Sequence, residues 1–268
     1  MTGSVGPARG LLHTAVGPGE FHHARLAPSP MLAPWIAHYW SVRWDLRGHP
    51  PQRRETLPHP NVHWVFDADG SRIHGIHGGR FTVRLEDRGE VFGLKFRPGG
   101  FRPFLTHAVA RLRNRSLPPV QVFGAAATAL ENEILSLASD AQRTARLEAF
   151  LQLRLPPHDP QVDYVARIVA EVEHDRRLVT VAALENHCGQ PRRALQRLFN
   201  EYVGVGPKWV IQRYRLHEAL ARIAEGAVPD WAALALELGY FDQAHFIRDF
   251  TALVGRPPAH YARLDAPA

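Results

Sequence analysis

The chain has 268 residues, 45% of them hydrophobic, and a formal net charge of +6, which is enough for two ordinary domains, each with its own core. Its single cysteine, Cys188, excludes an intrachain disulfide and every multi-cysteine zinc site. No run approaches the roughly eighteen consecutive apolar residues of a membrane helix, and the start lacks the apolar segment of a signal peptide, so a soluble, cytoplasmic protein with no membrane partner is expected.

Residues 1–20, rich in Gly, Pro and Ala, have no periodic apolar face and are expected to form a mobile leader. Short aromatic and branched runs follow at Ile36 to Trp44, Val62 to Asp67, Phe81 to Leu85 and Glu90 to Phe96, with Pro, Gly, Asp and Arg between them. They predict an antiparallel β domain, and the partial alternation in Val62 to Phe66 suits strands with one face on a core. The aromatic set Trp35, Tyr39, Trp40, Trp44, Trp64 and Phe66 has two readings: the lining of an apolar pocket, or the plain core of that domain, which burial habits favour. Helical spacing then predicts helices over Val122 to Leu137 and Ala141 to Leu155. Residues 21–155 are thus read as a β-rich N-terminal domain with trailing helices, serving sensing or association. Residues 156–160, with three prolines, are read as a linker.

Residues 161–268 predict an all-α domain of about seven helices, making the whole α+β. Val162, Val165, Val169 and Val172 form one stripe; Val181, Leu184 and Cys188 form the next. Gly189 turns the chain into a helix whose Leu195, Leu198, Phe199 and Tyr202 point inward while Arg192, Arg193, Gln196 and Arg197 point away. Pro207 opens a long helix. Trp231, Leu234, Ala235 and Leu238 lead to a second turn at Gly239, after which Asp242 is placed to cap a helix held by Phe246, Phe250 and Leu253.

Two helix-turn-helix units in tandem point to double-stranded DNA. A helix enters the major groove only if one side is anchored and the other offers groups to phosphates and base edges. Arg193, Gln196 and Arg197 in the first unit, and Gln243 and Arg248 in the second, are the residue types that pair with guanine or adenine. The competing reading of each arginine is a merely solvated helix face. Charge does not decide between them: residues 160–268 hold 13 Arg plus Lys against 13 Asp plus Glu, and the basic surplus lies upstream.

The segment Gly239-Tyr240-Phe241-Asp242-Gln243-Ala244-His245-Phe246-Ile247-Arg248-Asp249-Phe250, followed by Gly255 and Pro258, resembles the signature of AraC/XylS-type transcription regulators. Leu195-Gln196-Arg197-Leu198-Phe199 with Gly204 and Pro207 resembles their first unit. The resemblance implies two reading helices in successive major-groove segments, with centres about 34 Å apart. By position its base-facing sites fall on Arg193, Gln196 and Arg197, and on Gln243, Ala244, Ile247 and Arg248, with Arg192 beside them. Ile247 has two readings, a thymine-methyl contact or a core residue. Ala244 stands where the family usually has serine; Gly206 and Pro257 stand where it has Ser or Thr before the closing prolines. Phe96-Arg97-Pro98-Gly99-Gly100-Phe101 and the residues after it resemble a poorly characterised domain that often precedes such units. By analogy a small-molecule effector, a homodimer and RNA polymerase join promoter DNA as expected partners.

Catalysis and cofactors find no support. Neither a nucleophile elbow nor a phosphate-cradling glycine loop appears, and Cys188 on an apolar face suits a buried, inert thiol. His59 and His63, on an extended segment, would lie about 13 Å apart, while His22 with His23 and His74 with His77 lack a carboxylate at ligand spacing; no metal and no cofactor is expected. The main expectation is a sequence-specific transcription regulator that is not an enzyme. The alternative is a small-molecule binding or sequestering protein whose helical half is an interaction module.

Overall fold

A computed structural model describes residues 10–12, 17–225 and 230–265. The N-terminal half is built on antiparallel strands in two sheets. Strands β2 (Glu20–Leu26), β3 (Ile36–Asp45), β5 (His63–Asp67), β6 (Gly70–His74), β8 (Arg88–Phe96) and β9 (Ser116–Leu117) form a six-stranded sheet in the order β2-β3-β8-β5-β6-β9. Strands β1 (Leu11–Leu12), β4 (Gln52–Thr56) and β7 (Phe81–Leu85) form a smaller sheet in the order β1-β4-β7. The leader expected over residues 1–20 lies largely outside the described residues, but Leu11 and Leu12 pair with Thr56 and Glu55, and Leu12 is buried.

The pairing register explains why the aromatic set divides. Leu26, Tyr39, Leu94, Trp64, Ile73 and Leu117 lie opposite one another across all six strands. All six belong to or pack on one hydrophobic core, together with Trp35 and Phe66. Trp40 and Trp44, an even number of residues apart on β3, fall on the other face and are only half-buried. Short helices close the core face: α1 (Val120–Phe123), α2 (Ala126–Ser136) and α3 (Asp140–Gln152). The single helix expected from Val122 to Leu137 is broken, because Gly124 takes φ +69°, a left-handed conformation that ends α1. Phe123 and Phe150 seat on Trp64, with centroids 4.9 and 6.0 Å away.

Seven helices follow among the described residues: α4 (Pro160–His174), α5 (Val181–Cys188), α6 (Arg192–Tyr202), α7 (Pro207–Ala224), α8 (Trp231–Glu237), α9 (Gln243–Val254) and α10 (Pro258–Asp265). The valine stripe of α4 is fully buried, and Asp159 caps the helix through Gln161 N. Packing does not respect the proline-rich segment at 156–160. Val165, Ile168, Val169, Val172, Leu184, Leu195, Phe199 and Val210 share one apolar cluster with the six-stranded sheet. A second cluster, around Phe246 and Phe250, takes in Leu12 and Leu57 from the small sheet and its flank. Each helix-turn-helix therefore rests on a different part of the N-terminal half.

Candidate nucleic-acid interface

The two turns are built alike. Thr180 caps α5 through Ala183 N, and Asp230 caps α8 through Ala232 N and Ala233 N. Gly189 ends α5 at φ +59° and Gly239 ends the α8 turn at φ +78°. The next amide in each case reaches back five residues, Gln190 N to Glu185 O at 3.2 Å and Tyr240 N to Ala235 O at 2.9 Å, which satisfies carbonyls that a helix end leaves open. Only glycine tolerates this conformation without strain, and at Gly239 a Cβ would also stand 2.5 Å from the Val179 Cβ.

Beyond the turns lie α6 and α9. Asp242 caps α9 by accepting from His245 N at 2.7 Å. Pro191 begins α6 without a side-chain cap. Leu195 and Phe199 anchor α6, and Phe246, Phe250 and Val254 anchor α9. The helices end alike, at Gly204 with φ +91° and Gly255 with φ +89°, before Pro207 and Pro258. Gly206, which has no side chain to cap α7, sits so close to Gln196 that a Cβ would stand 2.7 Å from its amide nitrogen.

The outer faces hold the residues expected to read DNA. Arg192, Arg193, Gln196 and Arg197 on α6, and Gln243, Ala244 and Arg248 on α9, are exposed. Ile247 is half-buried and packs on the second apolar cluster, so its contact with the core is established in the free protein. Among the described residues Arg192, Arg193, Arg197 and Arg248 make no ion pair, while Gln196 donates to Asn200 at 3.1 Å. The acidic groups of this half are mostly engaged elsewhere. Glu201 holds Arg102 at 2.5 Å, Glu218 gathers Arg176, Arg215 and Arg222, and Glu237 pairs with Arg222. These pairs hold three carboxylates on other arginines, while the outward arginines of α6 and α9 have no ion pair among the described residues.

Phe241, immediately before the α9 cap, is the most exposed large apolar side chain described, at 87% of its area. Sequence reasoning assigned it no role, since an aromatic residue between two helices ordinarily reads as core. The sequence also gave no sign of how the N-terminal half holds the connecting helix. Arg213 of α7, 1% exposed, donates to the carbonyls of Pro58, Gly78 and Gly79, at 2.6 Å for Gly78. His59 stacks on His217 at 4.2 Å, and Arg80 donates to Val254 O at the end of α9. Gly99, at φ +81°, lies against Val165 and Tyr202, so the Pro98-Gly99-Gly100 segment meets α4 and α6. The thiol of Cys188 is raised by burial, in keeping with an unreactive group. Among the described residues no three His, Cys, Asp or Glu groups are placed to hold a metal ion, and no helix is long and apolar enough to cross a membrane.

Comparison with known proteins gives two regional matches. Residues 24–118 match the family described as Domain of unknown function (DUF6597), and residues 184–264 match the family described as Helix-turn-helix domain. No curated protein matches the chain. Among solved structures it is similar to an apo variant of ToxT from Vibrio cholerae, at 12% identity and TM-score 0.41, covering 84% of this chain and 97% of that one. It is also similar to ToxT bound to (E)-4-(8-methylnaphthalen-1-yl)but-3-enoic acid, at 11% identity and TM-score 0.41, covering 92% and 99%. Likenesses so distant carry no argument; the matched turns, caps and anchored helices do, and with the regional match they place residues 184–264 in the AraC-type helix-turn-helix domain family, behind an N-terminal domain of the uncharacterised family.

Proposed function

We propose that the protein is a sequence-specific transcription regulator of the AraC/XylS type, in which α6 and α9 read two successive major-groove segments of promoter DNA. The observation that carries this reading is the pairing of two sealed, core-anchored helices with outward arginines that have no ion pair among the described residues. In this reading Arg193, Gln196 and Arg197, and Gln243 and Arg248, face base edges. Arg192 serves the backbone, and Ala244 leaves room for close approach of the α9 start. Residues 161–268 act as the DNA-binding part and residues 21–155 as the sensing or association part, the two joined through α7 and the shared apolar cluster. A homodimer and contact with RNA polymerase extend the proposal by family resemblance.

The test is selection of bound genomic fragments by the purified full chain, followed by gel shifts on the enriched fragment and a scrambled one across a salt series. A reader keeps its preference as salt rises, because base contacts outlast the counterion-release contribution. Equal loss on both fragments refutes it and favours the second reading, a binding protein whose helical half only associates with partners. The zero formal charge of residues 160–268 is the observation behind that second reading.

A further inference from the structure

One register position away from the apolar row of the six-stranded sheet lies a row of a different kind. His38 of β3 stands opposite Lys95 of β8, Lys95 opposite His63 of β5, and His63 opposite His74 of β6. Residues in register on adjacent strands share a face and lie within side-chain reach. Four basic groups thus run side by side over four strands, on the face turned away from the core. The next row adds Arg25, Trp40, Gly93, Val65 and Arg72. Gly93 matters here: a Cβ at that position would stand 2.8 Å from the Trp40 ring, so the indole lies across the β8 backbone. Trp40 also meets His63 edge-on, with centroids 6.1 Å apart.

This row is not an ordinary solvated face. His38 is only 7% exposed, and Lys95, His63, Trp40 and Val65 are half-buried. Burial, followed by the charges of Lys95, Arg25 and His23, pushes His38 down to about 3. Burial and the Arg25 charge bring Lys95 down to about 8, partly offset by Glu173 of α4. His63 is held well below its ordinary range by burial and then by Lys95, His38, His74 and Arg25. Among the described residues the Lys95 ammonium makes no hydrogen bond or ion pair, and the indole Nε1 of Trp40 is buried without a partner. A half-sunk ammonium near the like charge of Arg25 and an idle indole donor are costly features for a fold to keep. An anion settling among them would remove both costs.

We propose that this face is a binding site for a small organic anion, whose head is held by the Lys95 ammonium and the Trp40 Nε1–H and whose apolar body lies on the Trp40 ring and Val65. The head is a carboxylate or a phosphate, chemistries that satisfy the same donors. His38 and His63, neutral at physiological pH, line the site as adaptable donors or acceptors. Glu173 of α4, the helix that leads into the first helix-turn-helix, acts on the same ammonium through its charge. The inference concerns ligand binding alone and stands or falls independently of DNA reading.

The probe is 1-anilinonaphthalene-8-sulfonate, an aromatic organic anion that fluoresces when its rings leave water, titrated into the full chain. One saturable site is expected, weakened at least tenfold by Lys95→Met and unchanged by Arg84→Gln, which alters an exposed arginine elsewhere. Benzoate or phenyl phosphate should displace the dye where the uncharged benzamide does not, and the better competitor identifies the head. Lys95→Gln and His63→Gln provide the same readout should Lys95→Met fail to fold. The proposal is overturned if the wild-type chain shows no saturable site, if the folded variants bind the dye like wild type, or if benzamide displaces it as well as the acids do.

Discussion

Arg197→Ala puts the DNA-reading geometry to its sharpest test. Arg197 lies on the outer face of α6, exposed and without an ion pair among the described residues. Truncation therefore removes no hydrogen bond or ion pair among the described residues, and alanine is at least as good a helix former as arginine. Folding stability should change by less than about 0.5 kcal/mol. Binding should change far more. A bidentate contact to guanine contributes about 1–3 kcal/mol of discrimination, which at about 1.4 kcal/mol per decade is a loss of roughly 5- to 150-fold on the selected site. Loss confined to the selected site, with the random-DNA affinity nearly unchanged, identifies a base contact. A uniform loss with a salt slope shallower by about 0.9 identifies a phosphate contact instead. Paired gel-shift titrations on both DNAs, with a thermal melt of each protein, supply every quantity. Unchanged binding to both DNAs, or a melting temperature lowered by many degrees, would refute the assignment of Arg197 to an interface.

Gly239→Ala must force a Cβ into a residue at φ +78° and within 2.5 Å of Val179, so urea unfolding should show a loss of about 1–3 kcal/mol together with weakened DNA binding. Arg213→Met leaves the carbonyls of Pro58, Gly78 and Gly79 without their buried donor; a loss of about 2–4 kcal/mol is expected, with faster amide exchange where these segments meet α7. The His38 imidazole gives the acid limb of stability its sign. Its folded pKa is depressed to about 3 from 6.5, so the stability it contributes is complete above about pH 6.5 and drains away as pH falls toward 3. The groups facing it are His23, Arg25, His63 and Lys95 on the sheet, with Glu173 acting on Lys95 from α4. His38→Gln should flatten that limb by at most about 5 kcal/mol, seen as melting temperatures that fall less steeply between pH 6.5 and 4; an unchanged pH profile would contradict the burial of this imidazole.

The C-terminal helices were legible because their signals are local. Thr180, Asp230 and Asp242 cap within three residues, Gly189 and Gly239 supply left-handed turns at single positions, and the apolar stripes of α4, α6 and α9 repeat at the helical period. Strands β3, β5, β7 and β8 were visible for the same reason, as short branched and aromatic runs. Strands β2, β4 and β6 were not. Glu20–Leu26 carries two histidines and an arginine, and Gln52–Thr56 is polar throughout. Their extended form comes from ladder bonds to neighbours far along the chain, and propensity scales do not contain that term.

Local chemistry fixes the starts, stops and apolar sides of the C-terminal helices, since capping, turn glycines and periodicity act over a few residues. Long-range packing sets the rest: both helix-turn-helix units lie on the N-terminal half, Arg213 is sunk among loop carbonyls while Arg197 is exposed, and His38, Lys95, His63 and His74 fall into one row. Those outcomes depend on strand register and on packing between distant segments. A shift of one residue in register would have turned the basic row toward the core and the apolar row toward water.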